Sequence, residues 1–299
     1  KSGEMFSGSL TLGNSGAAGN PIVISTYGGK AKAKLMGSKE ITHIKNQCKN
    51  WYEAPCEEDI RYFFLDGKMM TIAREPNEGF LTMEGGGIDY LTDIDLKFNK
   101  ETLIGATARM RITNWNYEYR DIVDFHDSKL VFDSMLYNTL FKNYTCKEGF
   151  GYYLDNKKEI LDNNNECFYS KKDNKVYFIS SAFHDNSDLY GIVLNDAVVV
   201  EKGVSYISIL GLAIEDYIEN AILLRGDNKN IIVSDCDIFN IVKMGFMAER
   251  GCDSIIISNN RFYDITGSAV RLKAPGYSII ENNEVKRIGM VAGYGIDGI

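Results

Sequence analysis

A period of about two dozen residues governs the stretch from Val204 to Met290. Aligned by its apolar positions, this stretch gives three columns: Ile209, Val233, Ile257 and Ile280; Ile214, Ile238, Phe262 and Val285; and Tyr217, Ile241, Ile265 and Ile288. Steps of 24, 24 and 23 residues separate the members of every column. A fixed repeat of roughly 20 to 50 residues marks a solenoid, in which each unit buries its apolar edge only against its neighbours.

Each unit reads as strand. Short β-branched runs such as Asn230-Ile-Ile-Val-Ser and Ser254-Ile-Ile-Ile-Ser alternate with polar turns, and no helical i, i+3, i+4 stripe lies between them. Three short strands and three turns fill a coil of this length, and stacked coils set equivalent residues about 4.8 Å apart as parallel strands. The fold expected is all-β, a right-handed parallel β-helix. Asn260 and Asn283 share one register, where buried amides can hydrogen-bond up the stack as a ladder, and Cys236 holds that register one coil earlier.

A solenoid grows by adding coils, so the 299 residues are expected to form one β-helix domain, 1–299, with a β-rich insertion at about 115–198 where the period is lost. The chain stops at Gly293-Tyr-Gly-Ile-Asp-Gly-Ile in mid-coil, which suggests a domain incomplete at its C-terminus. A net charge of -8 argues against a nucleic-acid partner, and an anionic ligand would need a local basic cluster or a bridging cation. No apolar run is long enough to span a membrane. Six cysteines lack zinc spacing; Cys48 and Cys56 flank a loop and either pair, in an exported protein, or stay as free thiols.

The N-terminal residues carry a more specific signal. Phe6-Ser-Gly-Ser-Leu-Thr-Leu is followed by a glycine-rich turn, then by Gly19-Asn-Pro-Ile-Val-Ile-Ser, a Tyr-Gly, and Leu35-Met-Gly. This opening resembles that of secreted bacterial right-handed β-helix proteins of the polysaccharide lyase and glycoside hydrolase (pectate-lyase-like) superfamily. Ala73-Arg-Glu-Pro-Asn, carried within residues 41–90, which are read as further coils, is similar to a segment that recurs in that group. Within the insertion, Asn165-Glu-Cys-Phe-Tyr stands where the group has Gly-Glu-Trp-Tyr. The resemblance implies an exported protein, secreted, periplasmic or at the cell surface, that acts as a monomer on a polysaccharide or oligosaccharide.

Side chains alternate in and out along a strand. With Ile222, Leu224, Phe246, Ala248, Val270 and Leu272 inward, the outward set is Leu223, Arg225, Met247, Glu249, Arg271 and Lys273, with Asp297 on the next coil. Stacking gathers Arg225, Glu249, Arg271, Lys273 and Asp297 into a patch roughly 15 Å across. Catalytic roles are expected for Arg271, Lys273, Glu249 and Asp297, and substrate contacts for Arg225, Met247, His126 and His184. In a lyase, Arg271 or Lys273 neutralises a uronate carboxylate, alone or with Ca²⁺, so that a base can remove the C5 proton. In a hydrolase, Glu249 and Asp297 work as a carboxylate pair at the wide spacing, about 6.5 to 9.5 Å, that inversion requires. A solvated charge ladder is the plain alternative. Asp185, Asn186 and Asp188 offer oxygens to Ca²⁺ but lack a full ligand set, and no other metal is expected.

Only Arg271-Leu-Lys273 matches the Arg-x-Lys of polygalacturonase-like hydrolases, whose Asp-Asp and Gly-His are missing before it; the Lys-Ser-x-x-Asn of chondroitinase and alginate lyases is missing too. The expectation is a carbohydrate-active β-helix enzyme that cleaves an extended polysaccharide, by β-elimination of a uronate-containing chain or by hydrolysis. The alternative is a non-catalytic glycan-binding or adhesin-like β-helix.

Overall fold

The computed structural model describes residues 1–114, 116–134, 136 and 144–289. It separates into two compact units, one made of 1–39 with 192–289, the other of 40–191.

The first unit is a parallel β-helix with three sheets, here called faces in the order the chain meets them. Strands Ile207–Leu210, Leu212–Tyr217 and Asn220–Leu224 form one coil; Lys229–Ser234, Asp237–Ile241 and Met244–Ala248 the next; Asp253–Ser258, Arg261–Ile265 and Ser268–Leu272 the third. Each pairs in parallel with its counterpart 24 residues on, as in Ile209 with Val233 and Val233 with Ile257. The three sequence columns are thus the interior rows of the solenoid. Ile209, Val233, Ile257, Ile214, Ile238, Phe262, Tyr217, Ile241 and Ile265 have no exposed surface.

The first 40 residues join the same faces: Ile22–Ser25 pairs with Ile207–Leu210, Ala33–Met36 with Leu212–Tyr217, and Leu10–Leu12 with Asp196–Val200. The corners repeat as faithfully as the strands. Gly211, Asp235, Asn259 and Asn282 all take positive φ (55 to 62°) at the bend from first to second face, and glycine, asparagine and aspartate are the residues that adopt this conformation at least cost.

The amide ladder forms as expected at the next position. Asn260 Oδ1 accepts the Cys236 N–H at 2.9 Å while its Nδ2 donates to the Val233 carbonyl; Asn283 Oδ1 accepts the Asn260 N–H at 2.9 Å while its Nδ2 donates to the Ile257 carbonyl.

Residues 40–191 depart from the expectation. The segment 41–90 adds no coils, and the excursion begins at 40, well before 115. Its strands pair almost entirely antiparallel, in one sheet ordered Arg74–Glu75, Gly151–Asp155, Thr107–Arg111, Tyr117–His126, Lys129–Phe132, Tyr90–Thr92, Gly85–Gly86. A second sheet runs Thr71–Ile72, Glu166–Ser170, Lys175–Ile179, Trp51–Pro55, Lys45–Cys48. This unit has a core of its own, built on residues such as Met83, Leu91, Met110, Ile122, Tyr152 and Leu154. Antiparallel hairpins and parallel coils both read as short alternating strands, which is why composition alone did not separate them.

All six cysteines are free thiols, and only Cys48 is exposed. No helix among the described residues is long and apolar enough to cross a membrane.

Candidate functional site

The third face of the β-helix brings most of the expected residues together. Leu223 pairs with Met247 and Met247 with Arg271, so these three share one outward row; Leu224, Ala248 and Leu272 form the inward row beside it. One residue further along, each strand ends in a charged side chain: Glu201, Arg225, Glu249 and Lys273, one per coil.

This column alternates in sign and closes on itself in pairs. Lys273 Nζ donates to Glu249 Oε1 at 2.8 Å and to Oε2 at 3.1 Å, and Arg225 Nε lies 3.5 Å from Glu201 Oε1. Both pairs are half-exposed, where an ion pair is worth at most about 1 kcal/mol, so a ligand can displace either partner at small cost. Arg271 is partly exposed and, among the described residues, has no carboxylate within ion-pair distance. An open hollow at the strand ends is lined by Lys202, Arg225, Gly226, Asp227, Glu249, Arg250 and Gly251.

Other expected residues stand elsewhere. Met247 is 9% exposed and offers a ligand little surface. Asp297 lies outside the described residues. His126 and His184 belong to the unit formed by 40–191. His126 Nδ1 is 3.1 Å from Asp124 Oδ2 on an exposed strand end, and His184 Nδ1 accepts the Asn186 N–H at 3.3 Å within a loop that Asp66 closes by accepting from Ser187 Oγ and the Asp188 N–H. Neither histidine joins the charged column. No three His, Cys, Asp or Glu side chains converge as a metal site among the described residues, so the Asp185 to Asp188 loop assembles no Ca²⁺ cage there.

The second face carries a polar array that the sequence reading missed. Glu215, Phe239, Tyr263 and Lys286 form one outward row, and Asp237, Arg261 and Glu284 another. Lys34 Nζ meets Glu215 at 2.7 Å, Lys32 Nζ meets Asp237 at 3.0 Å, and Arg261 grips Asp237 through both Nε (2.6 Å) and Nη2 (2.5 Å). Burial raises the Glu215 carboxyl above its ordinary range in spite of Lys34. Burial acts on Asp237 in the same sense, but the hydrogen bonds from Arg261 and Lys32 outweigh it and hold that carboxyl low. Phe239 and Tyr263 stack at 4.8 Å, 5° from parallel, with Lys34 6.0 Å from one ring and Arg287 6.0 Å from the other. Cations flank both ends of the stack, and Tyr263 also lines a shallow hollow with Arg261, Glu284, Lys286 and Arg287.

Comparison with known proteins fits this architecture. The family model described as "Right handed beta helix region" matches residues 134–297. This chain belongs to the right-handed β-helix family. No curated protein matches it. Among solved structures, one described as a glycoside hydrolase superposes with a TM-score of 0.63 at 12% identity, covering 91% of this chain and 71% of its own. XylC in complex with xylose covers 97% of this chain and 49% of its own at 12% identity, with a TM-score of 0.44. At such identity the first likeness speaks to fold alone, and the second is too distant to argue from.

Proposed function

We propose that this β-helix is carbohydrate-active and grips an extended, acid-bearing glycan across its third face. The observation that carries the reading is Arg271. It is a cation on a regular strand face, one row from Lys273 and Glu249, without a carboxylate of its own among the described residues. A row of sites spaced about 4.8 Å per coil suits a linear polymer, and an arginine in that row matches a uronate carboxylate in a planar fork. The glycoside hydrolase likeness in fold supports a carbohydrate ligand by analogy.

Arg271 then neutralises the carboxylate, while Lys273 and Glu249, already hydrogen-bonded, exchange their mutual contact for contacts to the sugar. Cleavage by β-elimination or by hydrolysis is the catalytic form of this proposal. The paired state of Glu249 with Lys273 and of Arg225 with Glu201 favours, as a second reading, a face that binds without cleaving.

Incubation with uronate-containing and neutral polysaccharides separates these forms. Unsaturated, ultraviolet-absorbing ends mark a lyase, new reducing ends without that absorbance a hydrolase, and retention without product a binder. Arg271→Ala is expected to lower the rate or the affinity roughly 10²-fold, as loss of one charge-stabilising donor does elsewhere. An unchanged value in this variant and in Lys273→Ala would reduce the face to a surface ladder.

A further inference from the structure

The unit of residues 40–191 holds a second polar cluster. In an antiparallel sheet, residues directly opposite share a face. Arg109 lies opposite Tyr119 on one side and Tyr153 on the other; Thr107 lies opposite Asp121 and Asp155; Arg111 lies opposite Tyr117; and Arg74 lies opposite Asp155. The alternate residues Ala108, Met110, Tyr152 and Leu154 are buried in the core, so the arginine and tyrosine rows lie on the opposite side of the sheet, where Thr107, Tyr153 and Asp155 are themselves covered, Arg109 is 11% exposed and Tyr119 is open.

Arg109 sits at the centre. Its Nε donates to Asp155 Oδ2, and its guanidinium lies 5.4 Å from the Tyr119 ring. Arg74 stacks on Tyr153 at 4.0 Å and is held there by donating from Nε to the Pro76 carbonyl and from Nη2 to the Gly79 carbonyl. The Ala73-Arg-Glu-Pro-Asn segment therefore folds a loop that ends in Phe80. That ring lies over Gly151, where a Cβ would come within 3.2 Å of it, and its centroid is 6.2 Å from that of Tyr117 and 6.0 Å from that of Tyr153. Phe80 and Tyr119 remain 50% and 55% exposed on a protein whose large apolar side chains are mostly covered.

The charge on this face does not balance. Arg61, Arg74 and Arg109 all act on Asp155, yet only Arg109 has a carboxylate in ion-pair contact among the described residues. Asp121 accepts from the Thr107 hydroxyl at 2.7 Å. Asp155 is buried, and its Oδ1 has no hydrogen-bond partner. A cationic group held among aromatic rings with too few counter-charges is stabilised when an anion arrives.

We infer that the inserted unit carries its own binding site for an acidic saccharide, with Arg109 and Arg74 facing the anionic group and Tyr119, Tyr117 and Phe80 facing the apolar side of the sugar ring. An acidic sugar combines a flat C–H face with a carboxylate or sulfate, which are the two features these side chains complement. Its residues all belong to the 40–191 unit, so it stands whether or not the third face of the β-helix binds.

Titration calorimetry of the whole chain tests this with a short oligogalacturonate, a sulfated oligosaccharide and a neutral oligosaccharide of equal length. One or both acidic ligands are expected to bind, more weakly as salt rises, and the neutral one to bind at least ten-fold more weakly. Tyr119→Ala and Phe80→Ala, at exposed rings, are expected to weaken acidic binding about ten-fold without lowering the unfolding temperature. Arg109→Lys, which keeps the charge and loses the planar fork, is expected to weaken this binding step similarly, while Arg271→Ala removes only the separate step that belongs to the third face. The inference is overturned if neither acidic ligand binds, if the neutral one binds equally, or if Tyr119→Ala leaves binding unchanged. A loss caused by Arg271→Ala alone would assign the binding to the β-helix instead.

Discussion

At the scale of single residues, stability rests on buried amides that replace missing backbone partners at the coil corners. Asn260 both accepts the Cys236 N–H and donates to the Val233 carbonyl, so Asn260→Ala orphans two buried groups. The expected loss is about 3 kcal/mol, read as a lower urea midpoint at unchanged slope; a loss under about 1 kcal/mol would mean that the ladder is dispensable. This ladder was legible because an amide recurs at a fixed register. Asn228 was not, although it is fully buried and does equal duty, donating from Nδ2 to the Glu201 and Val204 carbonyls and accepting the Gly226 N–H. Its column continues as Cys252, so no repetition flags it. The thiols give a second residue-scale test. Burial pushes the Cys146 thiol up to about 12 and Cys167 and Cys236 upward as well. Of six cysteines only Cys48 is exposed, so an aromatic disulfide reagent should titrate one thiol in the native protein and six in denaturant.

At the scale of the element, the second face shows what a periodic reading misses. Phe239 over Tyr263 is a repeat of 24 residues and was available to the same counting that found the third-face column. Lys32 and Lys34 were not, because they reach Asp237 and Glu215 from a coil that the 40–191 excursion separates by about two hundred positions. The pairing makes stability depend on pH with a definite sign. The Asp237 carboxyl is held below its ordinary value of 3.8 in the fold. The pair therefore stabilises the native state fully above about pH 4 and loses that contribution as pH falls through the lowered value. Comparing wild type with Asp237→Asn, the stability gap should be constant from pH 5 to 7 and shrink below pH 4. A gap that widened on acidification would contradict the assignment of Arg261 and Lys32 as the dominant partners.

At the scale of the molecule, the repeat was legible and the second unit was not. A solenoid writes its fold into the chain as a period, whereas an antiparallel unit is written in contacts between segments far apart, such as Trp51–Pro55 with Lys175–Ile179. The two points where the excursion departs and returns are nonetheless close. The Gly37 carbonyl accepts both the Val193 and Leu194 N–H, at 2.9 and 3.1 Å, and the Ile41 N–H donates to the Leu189 carbonyl at 2.7 Å. Each unit also has its own buried core. Loop-closure cost depends only weakly on length, so replacing 40–191 by a short Gly-Ser turn should leave the β-helix folded, with a strand-type circular dichroism spectrum and one cooperative transition. The same deletion should abolish the acidic-saccharide binding assigned to Arg109, Tyr119 and Phe80 while keeping whatever activity resides on Arg271. Failure of the deleted chain to fold would show that the β-helix depends on the unit it carries, and retention of the acidic-ligand affinity would place that affinity on the coils.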